Sequence, residues 1–415
     1  MTAAANRAAA PARGGGTPAT GHRLIAVLAA TATVGYGVLY YTFSVVLHPI
    51  AATLHTSTAV ITGAYTASVL VAAAAAIPVG RYLDRRSARG LMTGGAALGS
   101  LALAGLSQAT QVWQVYAAFT LIGLAAATSL YEAAFTVVVH QLGPDRRAGA
   151  VLAITIVAGF ASTIFIPTTG WLTEHHGWRT ALLVLAALHA AVTITGHAVA
   201  IPAGAPDKSA THTPGSPHPA DVRTLLDRGF WLLTISFVTH GIATSAVSVH
   251  LVGYLTHAGH PATTAAAIAG MLGALSVTGR IATTTLGRRH PITTTTAAVF
   301  ALQAAAAAAL PLLGGTVAGA VACVAVFGLG FGVGTIARPA IIVDRYGTTA
   351  YGAISGTLTV PITIAKAAAP LAVAGATGSI LMAAVALLCL TAASALAGLR
   401  TAPRPAAVSD LTART

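Results

Sequence analysis

Four charged side chains stand inside long apolar stretches of this chain: Glu132, Arg280, Arg338 and Lys366. A charge in hydrocarbon is costly unless it is paired or faces water, so each of the four marks a candidate site. A guanidinium can grip a carboxylate through two parallel N–H bonds, and a lysine supplies a compact, mobile positive charge. Arg280 and Lys366 facing one cavity would repel each other and attract an organic anion. The structural alternative for Arg280 is packing of the Gly279-Arg280 pair against a helix end. Glu132 is the only acid well inside an apolar run. A carboxyl held there can take up and release protons, and so couple proton flow to another process. An ion pair with Arg338, or a hydrogen bond to a helix hydroxyl, would instead make it structural. Arg338, close to the end of its stretch and followed by Pro339, is expected to snorkel toward the interface. Tyr36 and Tyr40 are four residues apart and share a helix face. With Tyr41, Tyr65 and Tyr131 they are candidates for an aromatic cavity wall, or for interfacial belts and core packing.

The composition says what must hold these groups. Of 415 residues, 55% are hydrophobic and 7% charged, against roughly a quarter charged in ordinary soluble domains. So few charges cannot cover a soluble surface of this size, whereas lipid accepts an apolar exterior; the mean hydropathy of +0.78 agrees. A net charge of +13 would suit a nucleic-acid binder if the cations lay on one polar face. They lie instead in short islands between apolar runs, as in the loops of a membrane protein, and no nucleic-acid partner is expected. Cys323 and Cys389 sit within apolar runs, which argues against a disulfide framework or a thiolate site. His240 and His250 are ten residues apart and do not share a ligating face. Without acidic partners the fifteen histidines predict no metal centre. No cofactor is expected either.

A helix needs about 20 apolar residues to cross a bilayer. Breaks at charges, prolines and glycine clusters give spans near 24–47, 58–80, 90–108, 113–140, 149–172, 178–201, 229–255, 263–286, 292–311, 316–341, 352–375 and 379–399. Lipid leaves open backbone groups without partners, so these are read as helices. The expected organisation is a disordered tail over 1–22, a six-helix bundle over 23–202, a polar linker over 203–227, a second six-helix bundle over 228–400 and a tail over 401–415. With the N-terminus inside, eighteen of the 22 Lys and Arg residues fall on the inner side, Arg179 alone on the outer, and three within spans. Both termini are therefore expected in the cytoplasm, with the chain in the cell inner membrane. The halves read as a repeat at an offset of 203. Leu83-Asp84-Arg85-Arg86 falls on Leu286-Gly287-Arg288-Arg289, Gly149-Ala150 on Gly352-Ala353, and Pro167 on Pro370.

The loop Gly80-Arg81-Tyr82-Leu83-Asp84-Arg85-Arg86-Ser87-Ala88-Arg89 resembles the signature loop of the major facilitator superfamily. It keeps Gly80, Asp84, Arg85 and Arg89 but has Ser87 where a second glycine is usual and Ala88 where a base is usual. Asp84 beside cations at a helix end can form a latch between bundles, made and broken as they rock. Within the superfamily the chain resembles the monocarboxylate-porter and oxalate/formate-exchanger branch, through Gly37-Val38-Leu39-Tyr40-Tyr41, Gly279-Arg280-Ile281, Val343-Asp344-Arg345-Tyr346-Gly347 and Lys366. The resemblance implies an all-α membrane protein of twelve helices in two pseudo-symmetric bundles. It implies alternating-access transport of a small organic anion, with Arg280 and Lys366 on the substrate's carboxylates and Tyr36, Tyr40 and Tyr131 around it. Glu132 is the candidate for proton coupling, with counter-substrate exchange as the other mode. A single chain in the bilayer is the expected unit. No nucleotide-binding loop is present, so an ion or substrate gradient would drive the cycle. The rival within the fold is a proton-driven drug or metabolite exporter. Ile166-Pro167-Thr168-Thr169-Gly170 lacks the glycine before proline usual in such exporters. An enzyme would need clustered acids, bases or a nucleophile, which the spans lack.

Overall fold

The computed structural model describes residues 18–204, 227–372 and 378–401. Most of the expected tails and linker lies outside those residues. Every regular element among the described residues is helical. The first half forms spans one to six: Gly21–Thr53, Thr58–Arg85, Ala88–Ser107, Val112–Gln141 and the continuous stretch Pro144–Ala200, which makes two passes. That stretch turns at Gly177, whose φ of 77° lies in the left-handed region that a β-carbon disfavours. The second half forms spans seven to twelve: Arg228–His257, Ala262–Leu286, Ile292–Leu313, Val317–Tyr346, Tyr351–Ala372 and Gly378–Thr401.

Several spans are interrupted, which the expectation of unbroken helices missed. Span one carries a π-helical turn at Gly37–Tyr41. Span four breaks at Leu130 (φ −91°, ψ −155°), directly before Tyr131 and Glu132. Span ten breaks at Gly332, within the run Gly328, Gly330, Gly332 and Gly334. Non-helical backbone at membrane depth is tolerated only where protein or a cavity surrounds it. The breaks in spans four and ten both border the space between the halves.

Three buried clusters show how the halves meet. One joins both halves at the end rich in basic residues, running from Leu83, Phe135 and Ile154 to Phe230, Ile336, Tyr351 and Leu396. At the opposite, Arg179 end there are two separate clusters. One holds Ile50, Ile122 and Leu185 of the first half, and the other Leu251, Leu310 and Met382 of the second. The bundles are zipped together at the basic end and apart at the other. Arg179 is used within its own bundle. It donates to the Ser107 and Ala109 carbonyls at 2.6 and 2.9 Å, capping span three.

Candidate functional site: a cavity between the bundles

The interruptions surround a cavity of about 340 Å³ between the halves. Its first wall carries Tyr36, Tyr40, Tyr65, Tyr131 and Glu132; the facing wall carries His240, Arg338 and Lys366 with several threonines. The π turn in span one and the break in span four bring the tyrosines together. Tyr36 lies 4.5 Å from Tyr131 and 6.2 Å from Tyr40, and Tyr40 lies 5.8 Å from Tyr65 (ring centroids). Such edge and tilted contacts make a continuous aromatic surface.

Glu132 is engaged across the cavity. One carboxylate oxygen accepts from Arg338 Nη2 of span ten, and the other accepts from Ser355 Oγ of span eleven at 2.7 Å. Arg338 is thus an interior ion-pair member, not the snorkelling side chain expected from its distance to the helix end. Arg338 lies in the helix Val333–Tyr346 that follows the break at Gly332. Its Nε is buried without a hydrogen-bond acceptor. Lys366 lines the same wall and is exposed into the cavity. Gly241 leaves room for its stem, since a β-carbon there would lie 3.0 Å from Lys366 Cγ.

Arg280 does not join Lys366 on the cavity wall. Its Nε donates to the Gly332 carbonyl at 3.2 Å and its Nη1 to the Thr155 carbonyl of span five at 2.9 Å. A β-carbon at Gly332 would run into the guanidinium, so glycine there serves both the break and the arginine. His240, considered from sequence only as a metal ligand, is buried in the wall. Its ring stacks on Phe300 at 3.9 Å, and its Nε2 lies 3.0 Å from Gln303 Oε1. Gln303 is oriented in turn by donating to the Phe327 carbonyl at 2.9 Å.

A family model described as Major Facilitator Superfamily matches residues 29–370. The chain belongs to that superfamily. No curated protein sequence matches it. Among solved structures, a bacterial homologue of the iron transporter ferroportin in an outward-facing state is similar, with a TM-score of 0.74 and 14% identity over 92% of this chain and 99% of that one. A variant of the E. coli fucose:proton symporter gives 0.70 and 15% identity over 90% and 98%. These likenesses show a shared fold. The protein is a multi-pass membrane transporter of the superfamily. Neither comparison supports the narrower placement among monocarboxylate porters and oxalate/formate exchangers.

The superfamily's signature loop closes the basic end of the cavity. Asp84 Oδ1 accepts from the Gly352 N–H and Oδ2 from the Ala353 N–H, each at 2.8 Å, at the start of span eleven. A β-carbon on Gly80 would strike the Gly352 carbonyl, so spans two and eleven touch backbone to backbone. His140 Nε2 lies 3.4 Å from Asp84 and 3.0 Å from the Thr348 carbonyl. Arg85 and Arg89 do not make this tie across the bundles. Arg85 is exposed beside Asp84, and Arg89 Nε donates to the Ile201 carbonyl at 2.7 Å. Ser87, in the place of the usual glycine, caps span three by accepting the Arg89 N–H at 3.3 Å.

Proposed function

We propose that this transporter carries a small organic anion, a mono- or dicarboxylate, by alternating access coupled to protons or counter-substrate. The observation that carries the reading is the charge of the cavity. Arg338 and Lys366 face it with Glu132 as the one acid, and Glu132 is already committed to Arg338. Lys366, exposed into the space between the bundles, is the anchor for a carboxylate, and Tyr36, Tyr40 and Tyr131 cover the rest of the ligand. Glu132 is the proton-coupling group, because its ion pair and its bond to Ser355 join one bundle to the other. Arg280, which the resemblance assigns to the substrate, holds the bundle interface in this conformation. The loop around Gly80 and Asp84, with Arg85 and Arg89, is the latch of the rocking cycle.

The distribution of cations supports placing the basic end, with both termini, on the cytoplasmic side of the inner membrane. The cavity then faces outward. Uptake into proteoliposomes should be measured across a panel of mono- and dicarboxylates, with and without a pH gradient. Anion accumulation or exchange is expected. Preference for a neutral or cationic ligand would replace this reading by the drug or metabolite exporter.

A further inference from the structure

We propose that Arg338 is a second carboxylate subsite, occupied in the empty protein by Glu132 and released when Glu132 takes up a proton. The inference rests on the organic-anion reading and makes it more specific. Lys366 holds the first carboxylate whether or not Glu132 carries a proton. The second, on Arg338, enters only with a proton, so a dicarboxylate binds together with one H⁺ and a monocarboxylate binds without one.

The geometry of the ion pair points this way. A guanidinium presents Nε and Nη2 on one edge as a two-pronged fork for a carboxylate. Glu132 takes Nη2 through one oxygen and turns its other oxygen to Ser355. The neighbouring Nε on that edge is buried with no acceptor. Buried donors are rarely left open, and a half-filled fork beside a cavity is the arrangement a bidentate ligand would complete. Arg338 and Lys366 line the same cavity and lie close enough for their charges to interact, which suits a ligand with two carboxylates. The groups facing Glu132 are Arg338 and Ser355 across the cavity, Tyr351 on span eleven and Tyr36 on span one; Arg338 in turn faces Lys366, with His240 beyond it. None is a second carboxyl; His240 is the one other group among these that could take up a proton, and Glu132→Gln separates its contribution from that of Glu132.

Charge balance gives the same result. Glu132, Arg338 and Lys366 leave the empty cavity with one net positive charge, which a monocarboxylate neutralises alone. A dicarboxylate would leave one negative charge, and a proton on Glu132 restores neutrality. Protonation also strips Arg338 of its counter-charge, and an unpaired buried cation is strongly unfavourable until another anion replaces it. Proton and second carboxylate therefore favour each other's binding, and by linkage the effect is reciprocal.

The test is calorimetric binding to the purified transporter in detergent from about pH 6 to about pH 8, where simple carboxylates of low pKa stay fully ionised. Tartrate and oxalate are the dicarboxylate probes, lactate and acetate the monocarboxylates. Wild-type affinity for the dicarboxylates should fall about tenfold per pH unit, with one proton taken up per ligand, while monocarboxylate affinity stays flat. In Glu132→Gln the proton uptake and the pH slope for dicarboxylates should both vanish. Equal pH slopes for the two ligand classes in the wild type, or a slope that survives in Glu132→Gln, would overturn the subsite and leave the anion reading intact. Failure of every carboxylate to bind would remove both. Should the variant not fold, the wild-type proton count and the comparison of the two classes decide the matter unaided.

Discussion

The carboxylate of Asp84 caps span eleven from the other half of the molecule, accepting the N–H of Gly352 at 2.8 Å and that of Ala353 through its second oxygen. A helix start leaves its first N–H groups without partners and carries partial positive charge, so an aspartate from a neighbouring bundle is well matched to it. The repeat-related position to Asp84 is Gly287, which offers no side chain to span five. There the halves are tied instead by Arg280 on the Thr155 carbonyl. Two diagonals of one pseudo-symmetric fold are therefore fastened by opposite chemistries, an anion on N–H groups and a cation on a C=O.

Asp84→Ala should open the basic end. A hydrogen bond to a charged group contributes about 1.5–3 kcal/mol, so losing even one shifts the ratio of closed to open forms by about tenfold or more. Spin labels at the exposed positions Gly90 and Arg289 should report a longer distance in the variant, with Asp84→Asn intermediate. An unchanged distance distribution would mean that the backbone contact of Gly80 with Gly352 closes this end without help.

For Arg280, the expected signature is one of interface stability. Arg280→Ala leaves the Gly332 and Thr155 carbonyls without this donor and should lower the melting temperature in detergent. Gly332→Ala should do the same, because its new methyl displaces the guanidinium. Since both act through one contact, the double variant should lose less than the sum of the single losses. Full additivity would separate the two residues.

The twelve passes and the pairing of halves were legible because hydrocarbon imposes length and apolarity on every span, and a charge within one is conspicuous. The Gly80–Asp84 loop stood out for another reason, its resemblance to the signature loop of the superfamily. The partner of Arg338 was not legible, because it depends on which way the side chain points beyond the break at Gly332, and a count of residues to the helix end carries no such direction. The glycine run from Gly328 to Gly334 was the available signal for that break. Leu130 gave none, since Ser129-Leu130-Tyr131 reads as ordinary helix. Arg280 and Lys366 were both rightly picked out as interior cations. Only three-dimensional placement could show Lys366 facing the cavity and Arg280 turned to the carbonyls of Thr155 and Gly332.

Asp227 gives a pH dependence outside the spans. Desolvation pushes its carboxyl up, but the Tyr346 hydroxyl, the Gly229 N–H and Arg345 outweigh it and hold the group below the usual carboxylate range. Tyr346 donates to it at 2.6 Å and Arg345 at 3.2 Å. A depressed folded-state value means that the carboxylate form is favoured by folding. Its contribution is full above the ordinary aspartate pKa and is lost as the pH falls through the folded value. The melting temperature should therefore drop on acidification below about pH 4, and by less in Asp227→Asn, which already lacks the charge. Parallel curves for the two proteins would show that Asp227 adds nothing that titrates.

Lys366 and Arg338 should respond in opposite ways to neutralisation. Lys366 stands in the cavity near another cation and without an acid of its own, so Lys366→Gln relieves repulsion. Stability of the ligand-free protein should hold or rise slightly. Arg338→Gln strands Glu132 on the cavity wall; breaking a fully buried pair typically costs about 3–5 kcal/mol, and this pair, partly open to the cavity, should lose a part of that. Its melting temperature should fall. Ligand responses should separate the two as well. Lys366→Gln should lose the stabilisation given by monocarboxylates, and Lys366→Arg should keep part of it, because that site needs charge more than shape. The measurement is a melting curve for each variant in detergent, with and without lactate. A marked drop for ligand-free Lys366→Gln would make Lys366 a structural cation, and the anchor for the substrate would have to be sought elsewhere in the cavity.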